Sequence, residues 1–419
     1  MSFLSAFCNL FSKPQQVVPT VPNVTTVSSR AAAANVIAAP TAAAPAKKPK
    51  KQKKQKKQQA QCAPKGGWLD AVVDSDSNTG SIDVYDSSGK RLTLGTKDER
   101  GSGGEGTVYE LPMYKKFLVK IYKEGIRNDK RKMEGLRKRI IDMVAIQSFV
   151  NLPFMAWPIM PVMNSRKEII GFVMHKCTGN SFLTLRGPRF IHMHFPRWTR
   201  RELALTALDY VKKIRLLADA NVFVNDFNPA NFLVNDKCEV MFIDCDSYQV
   251  PSKNGVHTTA TFFPSHIAPE LLRDKGLLAA PRNIHHVEFG AALTAFNILM
   301  CGMHPYSYFD ANHKSACGTP EENLLKGHCP LLSKSGSEFP KGGWYAMWSW
   351  MPYRLKSTFI KMFKDGHANP NARPRLVALQ ANIEDFLQIM QREPERCEME
   401  PKTVKSNEWK TASGTIVKH

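Results

Sequence analysis

The chain has 419 residues, with 58 lysines and arginines against 37 aspartates and glutamates, a formal charge of +21, and nine cysteines. No apolar run approaches the ~20 residues that a membrane-crossing helix needs. The cysteines are odd in number and lack Cys-x-x-Cys or His/Cys spacing, which argues against structural zinc or a disulfide framework and for reduced thiols in a cytoplasm.

In chain order, residues 1–11 are apolar but short and lack the basic start of a signal peptide. Residues 13–46 are rich in Ala, Pro, Val and Thr with no period, and residues 47–58 carry eight lysines among Gln and Pro. Such a stretch cannot bury a core and is expected to be disordered. The run Lys47–Lys57 reads either as a solubilising tail or as a non-specific contact to a polyanion, nucleic acid or anionic membrane. No zinc-finger or helix-turn-helix spacing accompanies it.

Gly101-Ser-Gly103-Gly-Glu-Gly106-Thr-Val108-Tyr is a glycine-rich loop whose backbone can come close to phosphates, where a Cβ would intrude. The residues after the glycines are β-prone, so the loop joins two strands instead of opening a dinucleotide-binding helix. Phe117–Tyr122 is an apolar run holding one lysine, Lys120, fourteen residues after Gly106. Read alone, it could be an edge-strand lysine facing solvent. A basic helical stretch at about 129–150 carries Glu134. An apolar strand at 169–174 leads into Met174-His175-Lys176-Cys177.

Thr199 and Glu202 form a capping-box pattern. Behind it Leu203, Ala207, Tyr210, Ile214 and Leu217 fall at helical spacing, and the predicted helix ends near Asn221. Next come Asp226 and Asn231, five residues apart, and Asp244, thirteen further on. In isolation, Asp and Asn at such spacing are often turn caps. The segment Ser247–Pro264 holds Thr258, Thr259 and Thr261, which fit either phosphorylation sites or a plain polar loop. Then follow Ile267-Ala-Pro-Glu270, an apolar helix at about 287–301, and Asn369-Pro-Asn-Ala-Arg373-Pro.

This ordered set resembles the eukaryotic-like protein kinases over about residues 95–390. The closer likeness is to the divergent bacterial and phage-borne Ser/Thr kinases, in which Asn-Pro-x-Asn and Asp-x-Asp-Ser variants occur. The resemblance implies an α+β bilobal fold. Residues 1–66 would be tail, 67–175 a small β-rich N-lobe that binds ATP, 176–392 a larger, mainly helical C-lobe, and 393–419 a C-terminal tail. It implies that Gly101, Gly103 and Gly106 cover the phosphates of ATP and that Val108 lies over adenine. Lys120 would contact the α/β-phosphates, oriented by Glu134. Asp226 would act as base, and Asn231 and Asp244 would hold Mg2+ or Mn2+. Glu270 would pair with Arg373.

Several positions depart from the family pattern. Val224-Asn225-Asp226 has no arginine before the catalytic aspartate, and Asn228 stands where many Ser/Thr kinases have a lysine. Asp244-Cys245-Asp246 replaces Asp-Phe-Gly. The aspartate that usually opens the helix after Ala-Pro-Glu has no clean replacement among His285, His286, Val287 and Glu288. An active, autophosphorylating Ser/Thr kinase is the favoured expectation. A pseudokinase that binds ATP as a scaffold and a polyanion-binding protein with a kinase-like regulatory body are the alternatives.

Overall fold

The structure, a computed structural model, describes residues 80–307, 318–332, 343–400, 408–410 and 416–418. The expected tail at 1–66, the Lys47–Lys57 run and the start of the N-lobe at 67 lie outside the described residues.

The first half of the described chain is a curled antiparallel sheet. Its strands are β1 (Ser81–Tyr85), β2 (Arg91–Gly95), β3 (Glu99–Ser102), β4 (Gly106–Glu110), β5 (Phe117–Tyr122), β6 (Met160–Met163) and β7 (Ile169–His175). They lie in the order β2-β1-β6-β7-β5-β4-β3. The glycine-rich segment is the β3–β4 turn, and β5 sits between β4 and β7, so Lys120 faces Val108 on one side and Phe172 on the other. One helix packs on this sheet, α1 (Lys130–Ala145), capped by Asp129, whose carboxylate accepts from Lys132 N at 3.0 Å. The helical pattern was expected to reach 150. Instead α1 stops at Ala145, and a separate turn, Gln147–Val150, buries Phe149 and Val150.

The second half is mainly helical. The helix α2 (Arg200–Asp219) begins at the expected capping box, Thr199 Oγ1 donating to Glu202 Oε2 at 2.6 Å. Its predicted stripe, Leu203, Ala207, Tyr210, Ile214 and Leu217, is buried throughout. Helix α3 (Ile284–Leu299) is enclosed on all sides from Val287 to Phe296, as a helix apolar all round must be. The amphipathic helices α4 (Tyr353–Phe363) and α5 (Leu376–Arg392) pack around it. The chain stays packed just past 392. Arg396 is fully buried and bonded to Glu393 and to the carbonyl of Trp350.

Between sheet and helices lie three short strands, β8 (Asn180–Ser181), β9 (Phe232–Val234) and β10 (Val240–Phe242), in the order β10-β9-β8. A further hairpin joins β11 (Val250–Ser252) to β12 (Gly255–His257). Among the described residues no helix is long and apolar enough to cross a membrane, and the six described cysteines are free.

Candidate active site

The β9–β10 hairpin explains the thirteen-residue interval between Asn231 and Asp244. Phe232 and Phe242 are register partners, so the residues just outside the pair meet, and Ile243 N donates to Asn231 O at 3.0 Å. Asn231 closes a turn, Pro229–Asn231, that Asn228 caps by accepting from Ala230 N at 3.0 Å. In that turn Asn231 donates its amide N–H to Asp226 Oδ2 at 3.1 Å, which leaves its amide oxygen free to accept. Burial raises the pKa of Asp226, while the bonds from Asn231 and from the backbone of Asn228 oppose the shift. Asp244 adopts a left-handed backbone, φ 58°, a conformation aspartate tolerates better than most residues. Asp226, Asn231 and Asp244 therefore occupy adjoining segments. They offer oxygen donors of the kind magnesium prefers when phosphates complete its shell, and the residues fit that ion.

Among the described residues no carboxylate of α3 bonds the loop that carries Asp226. Glu288 is buried, but it pairs with Arg375 at 2.8 Å and His285 at 3.1 Å. Instead the ring of Phe227 rests against the backbone of α3 at Gly290, so closely that a Cβ there would lie 2.5 Å from the ring.

Lys120 is only 7 % exposed, and its Nζ donates to Asp244 Oδ1 at 2.7 Å and to the two carboxylate oxygens of Asp246 at 2.8 and 2.9 Å. Burial disfavours its charge, but the two carboxylates more than compensate and raise its pKa. The same ammonium keeps Asp246 ionised against its own burial. Tyr122, two residues beyond Lys120 on the same face of β5, donates to Asp246 Oδ2 at 2.8 Å.

The expected Lys120–Glu134 pair is not formed. Glu134 lies on the solvent face of α1 and pairs with Lys138 at 2.7 Å, with both side chains 66 % exposed. The buried stripe of α1 is Met133, Arg139, Ile140 and Met143, and position 134 is rotated away from it. Where a carboxylate was expected, Arg139 reaches inward and donates to the backbone carbonyls of Asp246, at 2.8 Å, and Thr258.

The glycines differ among themselves. At Gly106 a Cβ would sit 2.8 Å from Ile121 O and 3.3 Å from two carbons of Lys120, whereas at Gly101 it would meet nothing within 4 Å. Gly103 N donates to Gly106 O at 2.9 Å, closing the turn. Val108 is half-buried beside the sheet core. At the end of β7, His175 bonds Val150 O at 3.1 Å and Lys176 donates to Glu110 at 2.6 Å. Cys245 is fully buried, its thiol donating to Phe242 O at 3.4 Å and its pKa pushed up by burial, as a packed and unreactive residue.

The three threonines are held differently. Thr258 gives its carbonyl to Arg139, Thr259 donates its hydroxyl to Ser247 O at 2.7 Å, and Thr261 is exposed. Gln249 fastens the start of this segment, exchanging two bonds with the backbone of Arg282, at 3.0 and 2.6 Å. Glu270 and Arg373 pair in bidentate fashion at 2.8 and 2.7 Å. Arg373 also donates to Gly366 O and His285 O and stacks over Phe289.

Asp246, Tyr122 and Arg139 are the site residues that sequence reasoning missed. Tyr122 alone carried a usable signal, since Lys-x-Tyr in a strand puts both side chains on one face. Arg139 carried none beyond its place on the buried stripe.

No protein-family model matches the chain. Over 232 residues it is 28% identical to a protein described as protein kinase YegI from Escherichia coli K12, covering 54% of this chain and 34% of that one. The protein of the same name from Escherichia coli O157:H7 is 27% identical over 229 residues, with the same shares covered. The chain thus spans about a third of the length of these curated relatives. A solved structure of the ROP18 kinase domain in complex with AMP-PNP and sucrose aligns with 75% of this chain and 87% of its own, at 14% identity and a TM-score of 0.46.

Proposed function

We propose that this chain, a divergent member of the protein-kinase-like superfamily, transfers the γ-phosphate of Mg-ATP to a Ser or Thr hydroxyl of a protein, its own included. The observation that carries this is the convergence of Asp226, Asn231 and Asp244 at one end of the β9–β10 hairpin, with Lys120 bonded to Asp244.

The chemistry asked of the protein is positioning and charge compensation. Bound Mg2+, or Mn2+ in its place, would supply charge neutralisation across the β- and γ-phosphates. Asn231 and Asp244 would hold it through their oxygens, and the β3–β4 turn at Gly101, Gly103 and Gly106 would place backbone N–H groups along the phosphates. Val108 would cover the adenine. Asp226 would accept a hydrogen bond from the substrate hydroxyl and take its proton as the new P–O bond forms and the bond from the γ-phosphorus to the β-phosphate oxygen breaks, ADP leaving, with Asn231 fixing the carboxylate. Lys120 would meet the α- and β-phosphates. Asn228, neutral and used as a turn cap, gives no cation to the moving phosphoryl group, so turnover is expected to be slow.

A reducing compartment, the cytoplasm first of all, suits nine scattered cysteines. A polyanion contact through Lys47–Lys57 rests on composition alone.

The test is to incubate wild-type and Asp226→Asn proteins with Mg2+ and ATP labelled on its γ-phosphate, together with a generic protein substrate. Label on the wild type alone, with Mg-ATP affinity retained in the variant, is the expected result. No label on either protein, with Mg-ATP still bound, would replace an active kinase by an ATP-binding scaffold.

A further inference from the structure

We propose that Asp246 is the positioning carboxylate of Lys120, taking over in the loop after β10 the task that the resemblance assigned to a glutamate on α1. This rests on the phosphoryl-transfer reading above and adds to it a role for the second aspartate of Asp244-Cys245-Asp246, which stands where Asp-Phe-Gly has glycine.

Four observations carry the assignment. Asp246 is 3 % exposed and binds Lys120 Nζ with both oxygens, at 2.8 and 2.9 Å. Its second oxygen also accepts from Tyr122, at 2.8 Å, so the carboxylate is held from two positions of β5. No acid on α1 competes for the lysine: Glu134 pairs with Lys138, and Asp142 accepts from His257 at 2.7 Å. Finally, the helix presents a cation here, and Arg139 bonds the backbone oxygen of Asp246 at 2.8 Å. A buried ammonium needs charge-bearing acceptors, and a carboxylate buried this deeply needs a cation and a hydroxyl. Each supplies what the other lacks.

The arrangement changes what α1 does. The bond that orients the lysine runs from β5 to the loop carrying Asp244, so lysine and metal-binding aspartate are set by one local network. The helix is fastened to that network through peptide carbonyls and contributes no charge to the lysine.

The experiment uses the full chain and Mg-ATP as probe, with affinity measured by calorimetry and transfer by γ-phosphate label. Asp246→Asn is expected to weaken Mg-ATP binding and slow transfer by about 10–100-fold, the scale of a lost charged hydrogen bond. Tyr122→Phe, which removes one donor and leaves the ion pair, should lose about 3–10-fold. A purely structural role for Asp246 would make its effect independent of the lysine. We therefore expect that in a Lys120→Met background Asp246→Asn brings no further loss of affinity. Full activity in folded Asp246→Asn, additive losses in the double variant, or a large loss on Glu134→Gln would each overturn the assignment. Should Asp246→Asn fail to fold, an unchanged Tyr122→Phe would do so. A wild type that neither binds Mg-ATP nor transfers phosphate would remove the underlying reading, and this assignment with it.

Discussion

Asn225 donates its side-chain N–H to the hydroxyl of Thr259 at 3.1 Å and to the carbonyl of Ser247 at 3.3 Å. Asn225, before Asp226 and where the resemblance would place an arginine, holds Thr259 through neutral bonds. The segment is therefore fastened without added charge, and a phosphate on Thr259 would break the contact. Thr259→Glu should lower transfer, and Thr259→Val should cost about 1 kcal/mol of stability. Autophosphorylation, mapped by mass spectrometry, should fall on exposed Thr261 in preference to Thr259. Label mainly on Thr259 together with higher activity would contradict this.

The Glu270–Arg373 pair ties segments 103 residues apart. Glu270→Ala leaves the buried Arg373 without its partner, and Arg373→Ala removes four hydrogen bonds beside a half-buried Glu270, so each should cost about 3–5 kcal/mol in denaturant unfolding. Arg373→Lys should rescue little. One ammonium cannot reproduce the bidentate grip on Glu270 together with the bonds to Gly366 and His285.

Three histidines are held neutral by burial. His286 and His304 are each pushed down to about 4, and His266 falls well below its ordinary 6.5. Their folded pKa values lie below the unfolded ones. As pH drops below 6.5 the unfolded chain takes up protons that the folded one refuses until near pH 4. Stability should therefore fall across that window, by up to ~1.4 kcal/mol per pH unit for each histidine. His304→Gln should reduce the slope by about one proton. An unchanged slope would show that His304 titrates normally.

Gly106 and Gly104 differ in the room around them. Gly106→Ala forces a methyl against Ile121 O and should cost about 1–3 kcal/mol without any nucleotide present. At Gly104 a Cβ meets nothing within 4 Å, so Gly104→Ala should leave the melting temperature nearly unchanged. Equal destabilisation by both would contradict the placement of Gly106.

Chemistry written as residue type at fixed spacing was legible in the chain. Asp226, Asn231 and Asp244 announce themselves because a short hairpin dictates the interval. Glu270 and Arg373 do so because each motif implies the other, and the Thr199–Glu202 cap because it is local. The lysine's partner was not legible. Glu134 was chosen for its residue type on a helix, but the helix's facing is set by Met133, Ile140 and Met143, which turns position 134 to solvent. Asp246 escaped notice because Asp-Phe-Gly has no side chain at that place, and the Asp-x-Asp-Ser variant supplies the residue without a role for it. A partner set by three-dimensional proximity across 126 residues leaves only an indirect trace in the sequence.

The contact between Phe227 and Gly290 has a consequence for how this chain can change over generations. A bracing hydrogen bond tolerates exchange of one donor for another, but a ring laid against bare backbone tolerates nothing larger than hydrogen opposite it. Any side chain at 290 requires a smaller residue at 227 first, so the order of the two changes is forced. Drift at these positions should proceed in pairs, with the loop side leading.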